Sequence, residues 1–230
     1  MVETSDSKLD LRPQISVTIW ETIAIGAGAL LIVVIGVAGL MYKFFSNAAD
    51  PHRATVIAQS LMEYKIPGRV QGVFGANLGG AKIAIVSSTT FPQNPATLPP
   101  GQLAQATGVE LFIARVPLDV ETVAPTQPGV IATPPADPFT SPDFSFSFRA
   151  GEDFQVETSR TADLRFCNTT VPVQIQTGAL RLAPGLNPVY AVKYDATAIF
   201  DNSKRQITLT AIGNDAAKNA ASVFNSLRCK

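Results

Sequence analysis

The residues with the best claim to chemistry lie between Gly72 and Ile83. Gly72, Gly75, Gly79 and Gly80 precede Lys82, and from Gly75 the chain reads G-x-x-x-x-G-A-K-I. A phosphate-cradling loop needs G-x-x-x-x-G-K followed by Ser or Thr, with a strand before it and a helix after it. Here the lysine comes one position late and no hydroxyl follows it to hold magnesium. The residues after it, Ile83-Ala84-Ile85-Val86, read as a strand. Nucleotide binding is therefore rejected. The glycines are expected to serve a tight turn or bulge, or to let another backbone approach closely.

Histidine narrows the remaining chemistry by its scarcity. His52 is the sole histidine, so a Ser-His-Asp or Cys-His centre within the distal part of one chain has no base. A zinc or haem site would rest on Cys167, Cys229 and remote His52, which is a poor ligand set. Carboxylates are the last catalytic option, because a glycosidase needs two of them. Glu152, Asp153, Glu157 and Asp163 are close in sequence, but Glu152 and Asp153 follow Gly151 in what reads as a turn, where solvated acids are ordinary. No S-x-x-K motif occurs in the distal part. No catalytic residue, cofactor or metal is expected.

The element that organises the chain is apolar. Residues Thr22 to Tyr42 carry no charge. At ~1.5 Å per residue, a helix of this length matches the ~30 Å hydrocarbon core of a bilayer. A transmembrane helix is expected over 17–45, after a polar tail at 1–16. A cleavable signal peptide fits worse, because the apolar run is long and ends in Met41-Tyr42-Lys43-Phe44-Phe45. Trp20 and Tyr42 suit the two interfaces, and Lys43 can snorkel to the headgroups. Glu21 is expected at the interface. Lys8 and Arg12 on one side nearly balance Lys43 and Arg53 on the other, so charge does not set the orientation. Ala24, Gly28 and Gly36 are small positions at which another helix could pack, the alternative being a plain anchor.

The distal part is lightly charged, Pro-rich and β-rich, and holds both cysteines, which suggests a periplasmic, lumenal or extracellular space. Cys167 and Cys229, about 62 residues apart, are expected to form a disulfide. The alternative is two buried free thiols. Eighteen basic and eighteen acidic residues cancel, and no Lys or Arg run exists, which disfavours a nucleic-acid partner or a polybasic lipid patch.

Segment 46–121 reads as a helix followed by the first strands. Asp50-Pro51 is a helix start, and Ala54, Ile57, Ala58, Leu61 and Met62 follow at helical spacing over about fifteen residues. That face is expected to pack on its own domain, with a partner as the alternative. Strands are expected at Lys82–Val86 and Glu110–Val116. Residues 122–142 hold six prolines and form a loop or linker. Segment 143–230 reads as β-rich with a C-terminal helix. Phe144, Phe146 and Phe148 alternate with serines and are expected to be core; Val171, Val173 and Ile175 alternate likewise. Val189–Ile199 and Gln206–Ile212 read as a hairpin turning at Asp201-Asn202-Ser203. A last helix capped by Asn214 or Asp215 carries Ala217, Ala220, Ala221, Phe224 and Leu227 as its apolar stripe. The expected fold is a single transmembrane helix plus an α+β distal domain. Its mainly antiparallel sheet of five to seven strands would carry the juxtamembrane and C-terminal helices on one face.

The expected function is that of a non-enzymatic, single-pass anchored protein. It would be an accessory subunit or tethered interaction module of a larger membrane assembly, with the bilayer and a membrane protein as partners. The alternative is a membrane-tethered extracytoplasmic ligand-binding domain or hydrolase.

Overall fold

The computed structural model describes residues 18–103, 105–118 and 153–230. The tail at 1–16, the Pro-rich stretch at 122–142, the Phe144, Phe146 and Phe148 alternation and Glu152 lie outside the described residues. The chain divides after Phe45 into two units. The first contains most of α1 (Ile19–Ala48), one long apolar helix.

The second unit is a mainly antiparallel sheet with helices packed on it. Helix α2 (Pro51–Leu61) starts where the sequence predicts: the Asp50 carboxylate accepts the backbone N–H groups of His52 at 2.9 Å and Arg53 at 3.4 Å. Ala54, Ala58 and Leu61 form its buried face. It ends sooner than the apolar spacing suggests. Met62 and Glu63 leave the helix as a short strand, β1 (Met62–Glu63), which pairs with the chain's last strand at Arg228–Cys229. That long-range pairing is invisible in local periodicity.

Among the described residues, seven strands form the main sheet: β2 (Val70–Leu78), β3 (Ala81–Ser88), β4 (Gly108–Pro117), β5 (Asp153–Phe166), β6 (Thr169–Arg181), β7 (Val189–Phe200) and β8 (Ser203–Ile212). Their spatial order is β2-β3-β4-β8-β7-β6-β5, antiparallel throughout. Two meanders, β2 to β4 and β5 to β8, thus meet where β4 pairs with β8. A 3₁₀ turn (Pro95–Thr97) and the one-turn helix α3 (Pro100–Leu103) occupy the proline-bearing connection before β4. The chain ends in α4 (Ala216–Ser226) and β9 (Arg228–Cys229).

One face of the sheet carries both helices. Ala84 and Val86 of β3, Leu111 and Ile113 of β4, Val192 and Tyr194 of β7, and Ile207 and Leu209 of β8 share one buried cluster with Ala58 and Leu61 of α2 and Val223 and Phe224 of α4. Period-two alternation delivers these strand residues to one side. On α4 the buried face is Ala216, Ala220, Val223 and Phe224, followed by Leu227. Ala217, expected on that stripe, is exposed, because the helix is rotated to place Val223 inward.

Strand β2 departs most from the expected turn. Gly72 and Gly75 lie inside it because α2 crosses there. A methyl at Gly72 would overlap the Pro51 carbonyl oxygen, and one at Gly75 would stand 2.6 Å from the Ala54 Cα. The expected bulge lies between Gly72 and Phe74, and the tight turn falls at Gly79 and Gly80, whose φ values are +56° and +91°. Strand β5 is likewise not announced by the sequence pattern. Its outward positions are polar and its inward ones only partly covered, so the alternation is faint. Asp153 begins that strand rather than sitting in a turn.

Tyr64, just after β1, brings a pH prediction. Its hydroxyl is buried without a hydrogen-bond partner, and burial raises its pKa above the ordinary phenol value. The folded pKa therefore exceeds the unfolded one. The corresponding stability is complete below about pH 10 and is lost as pH rises through the folded pKa. Tyr64→Phe is expected to leave stability unchanged or slightly higher at about pH 8, and to lose less than wild type at about pH 11. Denaturant titration of both proteins at the two pH values checks this; parallel alkaline losses would refute it.

Candidate functional site

Helix α1 begins with a reciprocal cap that the sequence reading did not identify. The Thr18 N–H donates to Glu21 Oε2 at 2.8 Å, and the Glu21 N–H donates to Thr18 Oγ1 at 3.3 Å. This is the capping box encoded by T-x-x-E, and it explains an acid directly beside an apolar run. Beyond it, α1 is exposed along nearly its whole length, and Trp20 is 80% exposed. Thirty residues span ~45 Å, and the helix is long and apolar enough to cross a membrane.

The small residues of α1 do not all share a face. Ala24 and Gly28 are one turn apart. Gly36 lies about 80° around the helix from Gly28, whereas Gly39 returns to within about 20° of it. A methyl at Gly26, Gly28, Gly36 or Gly39 would meet nothing within 4 Å. The space beside these glycines is open.

The two cysteines meet. Cys167 is bonded to Cys229, with Cα atoms 5.0 Å apart. The bond ties the β5–β6 turn to β9. In that turn Cys167 and Asn168 have φ values of +49° and +62°, the left-handed conformation of a two-residue hairpin loop. Cys167 is buried, and its neighbours Phe166 and Val171 belong to the main core. A cavity of about 350 Å³ opens beside the bond, lined by Leu164, Arg165, Asn168, Asn225, Leu227 and Arg228. Arg228 is committed to helix capping there: its Nη1 donates to the carbonyls of Asn225 at 3.0 Å and Leu227 at 2.7 Å.

A second polar centre lies at the other end of β9. Arg205 of β8 is 1% exposed yet points to the helix-covered face. Its Nε donates to Ser203 Oγ at 3.1 Å, its Nη1 to the Leu61 carbonyl at 3.1 Å, and its Nη2 to the Lys230 carbonyl at 2.6 Å. The guanidinium thus joins the end of α2, the start of β8 and the residue after β9. The Phe200 ring lies 5.7 Å from its Cζ. Burial lowers its pKa below the usual arginine value; neighbouring Arg115 adds to this, and Asp201 opposes it. A buried arginine cannot be told from a surface one by residue type, so nothing in the local sequence signals this role.

On the opposite face, Lys193 and Asp195 of β7 form an ion pair at 3.6 Å, and Thr208 of β8 donates to Asp195 at 2.6 Å. Lys193 is only 9% exposed, and this carboxylate neutralises it.

The remaining candidates are dispersed. His52 is exposed in the first turn of α2. Lys82 is the second residue of β3, so a strand and not a helix N-terminus follows the glycines. Asp153, Glu157 and Asp163 are strung along β5, where ten residues span ~33 Å, so strand geometry separates the first from the last. Among the described residues, no three His, Cys, Asp or Glu side chains come together as a metal-binding group. No family model, curated protein or solved structure matches the chain.

Proposed function

We propose that this is a non-enzymatic, single-pass membrane protein, an accessory subunit or tethered interaction module of a larger membrane assembly. The observation that carries the reading is α1: a long apolar helix, capped at its start, with glycines beside which an added methyl would meet nothing within 4 Å. Such a surface is costly in water and ordinary in lipid. Small residues at Ala24 and Gly28 allow a second helix to approach closely, and dispersion packing then drives association. The disulfide supports placing the sheet unit in an oxidising space such as a periplasm, a lumen or the cell exterior.

The test is a mild-detergent pull-down of the full chain beside an Ala24→Leu, Gly28→Leu variant. Defined membrane partners are expected with the wild type and at least about tenfold less with the variant, which corresponds to ~1.4 kcal/mol. Gly36→Leu, on a different face, is expected to retain more partner. Absence of partners from every sample would overturn the subunit reading. The cavity beside Cys167 favours a second reading, a tethered binder of a small ligand, because its volume lies at the lower end of ligand pockets.

A further inference from the structure

Three cations stand side by side near one end of three adjacent strands, β3, β4 and β8. Register places Lys82 of β3 opposite Arg115 of β4, and Arg115 opposite Arg205 of β8. Residues directly opposite share a face, so all three point to the helix-covered side. Like charges in directly opposed positions destabilise a sheet. Most charged residues escape this by reaching water or by pairing, as Lys193 does with Asp195.

This row does neither fully. Arg205 is buried, and its Nε, Nη1 and Nη2 are all committed to Ser203, Leu61 and Lys230, so it is a fixed positive charge. Lys82 and Arg115 are half-buried. The Arg115 Nε is buried with no hydrogen-bond partner. Among the described residues, no carboxylate forms an ion pair with Lys82, Arg115 or Arg205. Asn77 of β2, exposed and opposite Lys82, extends the row with an amide donor.

We infer that Lys82 and Arg115 form a binding site for a phosphate-type oxyanion, with Arg205 as the fixed charge behind it. A guanidinium presents a planar fork to two oxygens of such an anion, and an adjacent ammonium supplies a point charge. The anion would answer both the unpartnered Arg115 Nε and the repulsion along the row. The same phosphate chemistry can come from a free phosphate or from a phospholipid headgroup. This inference is independent of α1 and of the subunit reading.

The experiment uses the full chain in a neutral maltoside detergent and follows thermal unfolding. One arm titrates inorganic phosphate against chloride at matched ionic strength. The other titrates short-chain phosphatidylglycerol against short-chain phosphatidylcholine. A saturable rise of about 4 °C at ten times the dissociation constant is expected in at least one arm. A response to phosphate identifies a free anion as sufficient, and a response to phosphatidylglycerol alone identifies a headgroup. Arg115→Met with Lys82→Met is expected to abolish the rise, while Arg165→Met, at the cavity beside the disulfide, keeps it. Without added anion, Arg115→Met is expected to be at least as stable as wild type, because it relieves the repulsion with Arg205 and keeps an apolar stem. No saturable rise in either arm, or an equal rise in the double variant, overturns the site. A loss of stability in Arg115→Met without anion would also overturn it, because it would make Arg115 a structural residue.

Discussion

Arg205→Met is expected to destabilise the sheet unit by about 3 kcal/mol, from hydrogen bonds between a charged donor and buried acceptors worth about 1.5–3 kcal/mol each, less the relief of desolvating the cation. Methionine fills much of the volume, so cavity formation contributes little. What is lost is the guanidinium's grip on the Leu61 and Lys230 carbonyls and on Ser203 Oγ. The Leu61 carbonyl keeps one partner, the Lys230 N–H at 3.2 Å, but no fork remains to hold the two segments at β8. Arg205→Lys should recover little, since a single ammonium cannot reproduce three divergent donors. Urea denaturation measures the loss. Hydrogen exchange adds a local signature: amides of Met62, Glu63 and Arg228 should exchange faster than those of Leu209 and Ala211, relative to wild type. A loss below about 1 kcal/mol with unchanged exchange would mean that Arg205 fills space and joins nothing.

The sequence made some of this architecture legible and concealed the rest for identifiable reasons. The α2 start was readable because Asp50 and Pro51 act within one turn of the backbone they cap. The β7–β8 hairpin was readable because Asp201 and Asn202, at φ +49° and +48°, occupy a turn that favours those residue types. Strand β2 was hidden because Gly72 and Gly75 answer to a helix from elsewhere in the chain, so local composition mimics a turn. The early end of α2 was hidden because its cause, pairing with Arg228–Cys229, lies more than 160 residues away. Cysteine scarcity made the disulfide readable, since two cysteines allow only one intrachain pairing. The cation row was hidden because Lys82, Arg115 and Arg205 become neighbours only through strand order. Local chemistry is written locally, whereas register and burial are properties of the assembled sheet.

Replacing Cys167 and Cys229 together with serine is expected to cost about 4 kcal/mol, the loop-closure entropy of a cross-link spanning 62 residues. Because that term acts on the unfolded chain, the denaturant m-value should rise as the unfolded state expands. A native-state contribution sits beside it. Strand β9 has two residues paired with β1, and Lys230 after it bonds the Leu61 carbonyl through its N–H and pairs with Glu63 at 3.6 Å; the ties that do not run to the end of α2 and β1 are the disulfide and the Arg205 bond to Lys230. Once the disulfide is absent, β9 can fray and carry the Lys230 carbonyl into water, so Arg205→Met then orphans fewer buried acceptors. The triple variant should therefore lose about 1 kcal/mol less than the sum of the two separate losses. Four denaturation curves decide it: wild type, the double serine variant, Arg205→Met and the triple variant. Strict additivity would show that the disulfide acts wholly through the unfolded chain and that Arg205 holds β9 independently. A double serine variant as stable as wild type would remove the cross-link from the account of what stabilises the fold.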